Sequence, residues 1–145
     1  MTQEEKDLLL KDLCSRLPYR VKFQKTYDTS EPAELYSIDL EHSEVKFYKY
    51  KGEALTICDA GFIERYGKLR FKPYLFPLSS MTDEQKKEYR KVCELDTERL
   101  SKHPMDGTPF PALYNSQDWL SKNHFDYRGL IPMDLGIDAT GLNIY

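Results

Sequence analysis

Thr2-Gln3-Glu4-Glu5-Lys6-Asp7-Leu8-Leu9-Leu10-Lys11-Asp12-Leu13-Cys14-Ser15-Arg16-Leu17-Pro18-Tyr19-Arg20-Val21-Lys22-Phe23-Gln24-Lys25 changes its hydrophobic period part-way along. Leu9, Leu10, Leu13, Cys14 and Leu17 recur at the spacing of one helix face. From Tyr19 to Lys25 apolar and polar residues alternate, as in a strand with one wet face. Thr2 and Glu5 have the Thr-x-x-Glu spacing of a capping box. Pro18 pushes the residue before it out of helical backbone. The spacing predicts a helix over 3–16 that gives way to a β-rich block over 19–78, and with it the α+β class.

Reading outward, Thr29-Ser30-Glu31-Pro32 has turn composition. Glu34 to Leu40 reads as a second strand with Tyr36, Ile38 and Leu40 on one face. Glu41-His42-Ser43-Glu44 joins it to a third strand, Val45 to Tyr50, as a hairpin. Ala54 to Ile57 is a short fourth strand. Leu69 to Leu78 contains Pro73 and Pro77, which cannot donate to a ladder, so it reads as an edge strand or extended loop. The expectation is an antiparallel sheet of four to five strands, or a small barrel, with Pro73 and Pro77 weakening its fifth strand. Thr82-x-x-Gln85 repeats the capping-box spacing and opens a long helix over 82–101. Tyr89, Val92, Cys93 and Leu100 form its thin apolar stripe. A tail over 115–145 follows, with a short helix near 117–123 capped by Asn115 or Ser116, and residues 126–145 mostly irregular.

A chain of 145 residues is the size of one domain. With 40% hydrophobic and 31% charged residues it can build a core without disulfides or metal. Cys14, Cys58 and Cys93 are odd in number and widely spaced, which excludes a disulfide framework or a C-x-x-C zinc site. Cys14 and Cys93 read as small buried hydrophobes. The polar, acidic N-terminus is unlike a signal peptide, and no apolar run approaches the roughly eighteen residues of a membrane span. The expected location is the cytoplasm, with no membrane partner. A net charge of −3 weighs against a general nucleic-acid binder.

Catalytic and metal signatures are missing from the sequence. His42, His103 and His124 form no H-x-x-x-H or H-x-H pair, and Gly61 and Gly67 do not fit a phosphate-cradling loop. No metal and no cofactor are expected. Cys58-Asp59-Ala60-Gly61 places a thiol before a glycine, but activation needs a cation or base from elsewhere. An enzyme reading therefore requires His124, Asp126 and Cys58 to converge. Basic and aromatic residues interleave at Lys46, Tyr48 and Tyr50, which share a strand face, and again at Arg70 and Lys72. That pattern suits single-stranded nucleic acid, with bases stacked on rings beside cations. Its simpler reading is cross-strand pairing of Lys46 with carboxylates of the Glu34–Glu44 segment.

Trp119-Leu120-Ser121-Lys122-Asn123-His124-Phe125-Asp126-Tyr127-Arg128-Gly129-Leu130-Ile131 is the densest segment and holds the only tryptophan. It reads as a C-terminal clasp packed on the protein's own sheet. The alternative is a partner-binding patch of Trp119, His124, Phe125, Asp126, Tyr127 and Arg128. Asp126 and Arg128 would pair, or bracket a turn at Gly129, where positive φ is free.

Three blocks of the chain resemble a set of small proteins of Bacteroides-type bacteria and their prophages to which no activity is attached. They are Glu4 to Tyr19 (E-E-K-x-L-L-L-K-D-L-C-x-R-L-P-Y), Lys72 to Thr82 (K-P-Y-L-x-P-L-S-S-M-T) and Trp119 to Ile131 (W-L-x-x-x-H-F-D-Y-R-G-L-I). Pro132-Met133-Asp134-Leu135-Gly136 departs from the acidic-apolar stretch that follows in that set. The resemblance implies a phage or mobile-element origin and carries over no catalytic residue. The expected function is non-enzymatic binding of a macromolecule, protein more than nucleic acid.

Overall fold

The computed structural model describes residues 2–25, 28–39, 44–49, 53–58, 71–102 and 115–145. Helix α1 spans Gln3–Arg16. Its capping box is formed: Glu5 N donates to Thr2 Oγ1 at 3.2 Å, and Thr2 N donates to Glu5 Oε2 at 2.6 Å. A single 3-10 turn, Leu17–Tyr19, follows with Pro18 in its first positions. Arg20, at φ 51°, then swings the chain into β1, Lys22–Lys25. The strand thus begins three residues later than the alternation suggests.

Strand β2, Asp28–Asp39, corrects the turn expected at 29–32. Phe23 opposes Ala33 while Lys25 opposes Asp28, so residues 29–32 form an irregular excursion of β2 facing one residue of β1. Pro32 sits in that excursion, where no ladder donor is required. A second irregularity falls at Tyr36: Leu35 opposes Phe47 and Ser37 opposes Lys46, leaving Tyr36 as the extra residue. Such a bulge shifts the two-residue alternation by one. Ala33 and Leu35 are therefore buried, Tyr36 is 48% exposed, and Ile38 packs against the core. Tyr36 and Ile38 do not share a face, and Leu40 lies outside the described residues.

Strands β3 (Glu44–Lys49) and β4 (Glu53–Cys58) extend the sheet as antiparallel neighbours. Strand β5, Phe71–Leu75, pairs antiparallel with β1 on the other side. A two-residue strand β6, Ile137–Asp138, adds in parallel to Tyr74 and Leu75. The sheet is open, in the order β4-β3-β2-β1-β5-β6, so it does not close into a barrel. Pro73 is opposite Phe23 of β1 and lies outside the Tyr74–Leu75 segment that β6 pairs with.

Leu9 and Leu13 of α1 pack on Val21, Phe23, Ala33, Leu35, Phe71 and Leu75 of the sheet, with Leu130 and Leu135 from the tail. Each of these side chains other than Ala33 contributes roughly 1.5–3 kcal/mol. Cys14 is exposed and Cys93 half-buried, so neither is the buried hydrophobe expected. The positions of α1 that turn inward beside Leu9 and Leu13 are Asp12 and Arg16.

Helix α2, Asp83–Lys102, starts at a second capping box, with Gln85 N to Thr82 Oγ1 at 3.2 Å and Thr82 N to Gln85 Oε1 at 2.9 Å. Helix α3 spans Asn115–Lys122. Asn115 and Ser116 fall inside its first turn, and the half-buried N–H of Ser116 donates to Asp96 Oδ2 of α2 at 2.9 Å. Asp96 is buried and four turns into α2, a partner no local pattern announces. Among the described residues no helix is long and apolar enough to cross a membrane.

A polar cleft between α1, α3 and the tail

Helix α3 ends in a Schellman motif. His124 N donates to Ser121 O at 3.1 Å and Phe125 N to Leu120 O at 2.9 Å. The left-handed residue that this motif needs is His124, at φ 59°, where glycine is usual. The reversal lays Phe125 against the sheet: Phe76 N donates to His124 O at 2.9 Å, and Asp126 N to Phe76 O at 2.8 Å. Asp126 then accepts from Leu130 N and Ile131 N, both at 2.8 Å. It brackets the Gly129 turn, where φ is 74°.

Held this way, the tail meets the polar side of α1. Arg16 Nε donates to Asp12 Oδ2 at 2.6 Å and Arg16 Nη2 to Asp12 Oδ1 at 3.0 Å, both side chains being fully buried. Arg16 Nη2 also donates to the Phe125 carbonyl at 2.7 Å. Arg128 brings a second guanidinium, its Nε 3.4 Å from Asp12 Oδ1 and without a hydrogen-bond acceptor. Among the described residues two guanidiniums share this one carboxylate, that of Arg16 fully buried and that of Arg128 partly exposed at the cleft. The ring of Tyr127 lies against both cations, 5.4 Å from Arg16 Cζ and 4.8 Å from Arg128 Cζ.

The Tyr127 hydroxyl ties both helices together. Its Oη lies 3.0 Å from Ser15 Oγ on α1 and 3.1 Å from Ser121 Oγ on α3. Ser15 Oγ donates to the Asp12 carbonyl at 2.7 Å, which fixes its proton. Ser15 can then only accept from the other two. Tyr127 and Ser121 share the remaining two protons, so one of them can redirect its O–H without leaving Ser15 unpaired.

Above this floor opens a cleft of about 510 Å³ lined by Lys11, Ser15, Gln117, Asp118, Ser121, Tyr127 and Arg128. Tyr19 Oη donates to Asp118 at its rim, and that carboxylate pushes the Tyr19 phenol up to about 12.

Of the six tail residues picked out in the sequence, only Tyr127 and Arg128 line the cleft. Phe125 and Asp126 are buried. Trp119 is half-buried, stacked on Phe125 at 5.8 Å between ring centroids and 5.4 Å from Tyr89. His124 stacks on Tyr145 at 3.9 Å. Burial, reinforced by the positive charges of Arg16 and Lys22, pushes the His124 imidazole down to about 4. The Tyr145 hydroxyl donates to Tyr74 O at 2.8 Å and accepts from Lys22 N at 3.0 Å. Burial of the ring raises its pKa.

Of the basic-aromatic set, Lys46 and Tyr48 lie on β3 and Lys72 on β5, with β2 and β1 between those strands. Lys72 pairs with Asp134. The β3 register sets Lys46 opposite Ser37 and Thr56, not a carboxylate, and Tyr48 opposite Glu34 and Ala54. Tyr50 and Arg70 lie outside the described residues, as do His42 and His103. Cys58 ends β4, four ladder steps of about 4.8 Å from β5 across the open sheet, or about 19 Å. His124 and Asp126 sit beside β5, so this trio forms no catalytic site. No group of three or more metal-ligating side chains converges among the described residues.

Sequence reading missed Lys11, Asp12, Ser15, Arg16, Gln117, Asp118 and Ser121. One signal was present: Asp12 and Arg16 flank the buried Leu13 at helical i, i+4 spacing. Comparison with protein-family models, with curated proteins and with solved structures gives no match.

Proposed function

We propose that this chain is a non-enzymatic binding protein that engages a macromolecule, a protein in preference to nucleic acid, through the cleft between α1 and α3. The reading includes a cytoplasmic site of action and a role in a phage or other mobile element of Bacteroides-type bacteria, as the three sequence blocks suggest. The observation that carries it is the Tyr127 hydroxyl bridging Ser15 and Ser121 beneath a concave, polar surface. Hydrogen bonds from three chain segments preorganise that surface, which lowers the entropy cost of docking. The lining supplies charges and hydrogen-bonding groups, while its acid, Asp118, is already engaged by Tyr19. The aromatic anchors Trp119 and Phe125 act inward, holding the cleft's walls. Partner contact then falls to Lys11, Gln117, Tyr127 and Arg128.

Site-specific photo-crosslinking in bacterial cells that carry the gene tests this. A crosslinker at Gln117 is expected to capture a discrete partner band that the same crosslinker at Lys87, an exposed site on α2, does not. Identical band patterns at the two sites would remove the cleft from partner binding.

A further inference from the structure

Resting on that reading of the cleft, we infer that it binds the phosphoryl group of its ligand, with Arg128 and Lys11 as the principal contacts. The charge around it is uneven. Among the described residues that line the cleft or pair beneath it, the cations Lys11, Arg16 and Arg128 stand beside two carboxylates, Asp12 and Asp118. Asp12 lies in the fully buried floor, locked by two bonds from Arg16. Arg128 is therefore only partly neutralised. Its guanidinium is held in place by the Tyr127 ring at 4.8 Å and by Asp12, so little orientational freedom is lost on binding.

The donors match the ligand class. A phosphoryl group presents up to three acceptor oxygens and between one and two negative charges at neutral pH. The cleft offers the Arg128 fork, the Lys11 ammonium, the Gln117 amide, and whichever hydroxyl of Tyr127 and Ser121 is released by the proton count around Ser15. Those donors come from α1, α3 and the tail, and so surround a tetrahedral group more completely than a planar one. The exposed Asp118 carboxylate at the rim opposes anions, and its bond from Tyr19 keeps it directed at α1's end of the molecule.

The test is titration of the intact protein with inorganic phosphate, phosphoserine, adenosine monophosphate and acetate at constant ionic strength. Heat is followed by calorimetry and resonances by amide NMR. Phosphate is expected to saturate a single site with shifts at Ser15, Ser121 and Tyr127, and acetate to bind at least several-fold more weakly. Tighter binding of phosphoserine assigns the phosphoryl group to a peptide; tighter binding of the nucleotide assigns it to a nucleotide. Arg128→Gln is expected to weaken phosphate about tenfold, the loss of one charge-assisted hydrogen bond. Gln117→Glu, a change on an exposed position, is expected to weaken it without disturbing the fold, and Lys87→Gln to leave it unchanged. No saturable phosphate site, or equal losses in Gln117→Glu and Lys87→Gln, would overturn the inference. If the Gln117 crosslink persists in that case, the binding face stands and only its phosphoryl chemistry falls.

Discussion

Arg16 on the first helix donates to the carbonyl of Phe125 at 2.7 Å, across 109 residues of sequence. This single bond joins the opening element to the reversal after α3. It places Arg16 in a three-membered charge cluster with Asp12 and Arg128, where the carboxylate is outnumbered. Removing the carboxylate is therefore worse than removing one cation. Asp12→Ala leaves the buried Arg16 guanidinium without its carboxylate and beside the partly exposed Arg128, and is expected to cost about 3–5 kcal/mol of folding stability. Arg16→Met leaves Asp12 with Arg128 and is expected to cost less. Urea denaturation of the two variants decides the order; an equal loss would mean Arg128 contributes nothing to the cluster.

His124 makes stability depend on pH in a defined direction. Its folded pKa of about 4 lies below the unfolded value of 6.5. Between those values the unfolded chain binds a proton that the folded protein does not. Stability therefore falls as pH is lowered from about 6.5 toward 4, and is unaffected by this group above 6.5. The melting temperature should drop through that window. His124→Phe, which can keep the stack on Tyr145, should flatten the drop, whereas an unchanged slope would place the acid sensitivity elsewhere.

Asp126 is the hinge of the tail. Its carboxylate accepts two N–H groups of the Leu130 turn, one of them buried. Asp126→Ala strands both donors and is expected to cost about 2–4 kcal/mol, since each buried unsatisfied group costs about 1–3 kcal/mol. Asp126→Asn keeps one acceptor and should fall between. Hydrogen exchange at Leu130 and Ile131 reads the effect directly: in Asp126→Ala both amides should lose protection before those of α1 do.

Much of this architecture was legible because its signals are local. Both capping boxes, Thr2 with Glu5 and Thr82 with Gln85, appear where the spacing put them. The hairpin of β2 and β3 follows from alternation on either side of a short connection. What was hidden depends on contacts far along the chain. The bulge at Tyr36 shows only in the register against β3, so alternation puts Tyr36 and Ile38 on one face where the structure separates them. The two-residue β6 is too short for any period to mark, and it forms because the Leu130 turn delivers it to β5. Asp12 and Arg16 look like the wet side of α1 until the Phe125 carbonyl covers them. Five of the seven residues that line the cleft were missed, while Tyr127 and Arg128 stood out as an unusual cluster.

Trp119 closes the second apolar cluster, stacked nearly parallel to Phe125 and packed with Tyr89 and Met81 around it. Its ring packs against Tyr89 of α2 and Phe125 of the tail, so its loss should loosen α2, α3 and the tail together. Trp119→Ala is expected to cost about 3 kcal/mol, the lower end for a large aromatic because the ring is half-buried. Trp119→Phe keeps the stack on Phe125 and should recover much of it. The indole is also the chain's only tryptophan, so its fluorescence reports this cluster specifically. In the native protein acrylamide should quench it less than it quenches free tryptophan, and quenching should rise together with loss of helical circular dichroism on heating. Full quenching at native temperature would mean that the indole stands in water and the clasp is held by Phe125 and Asp126 without it.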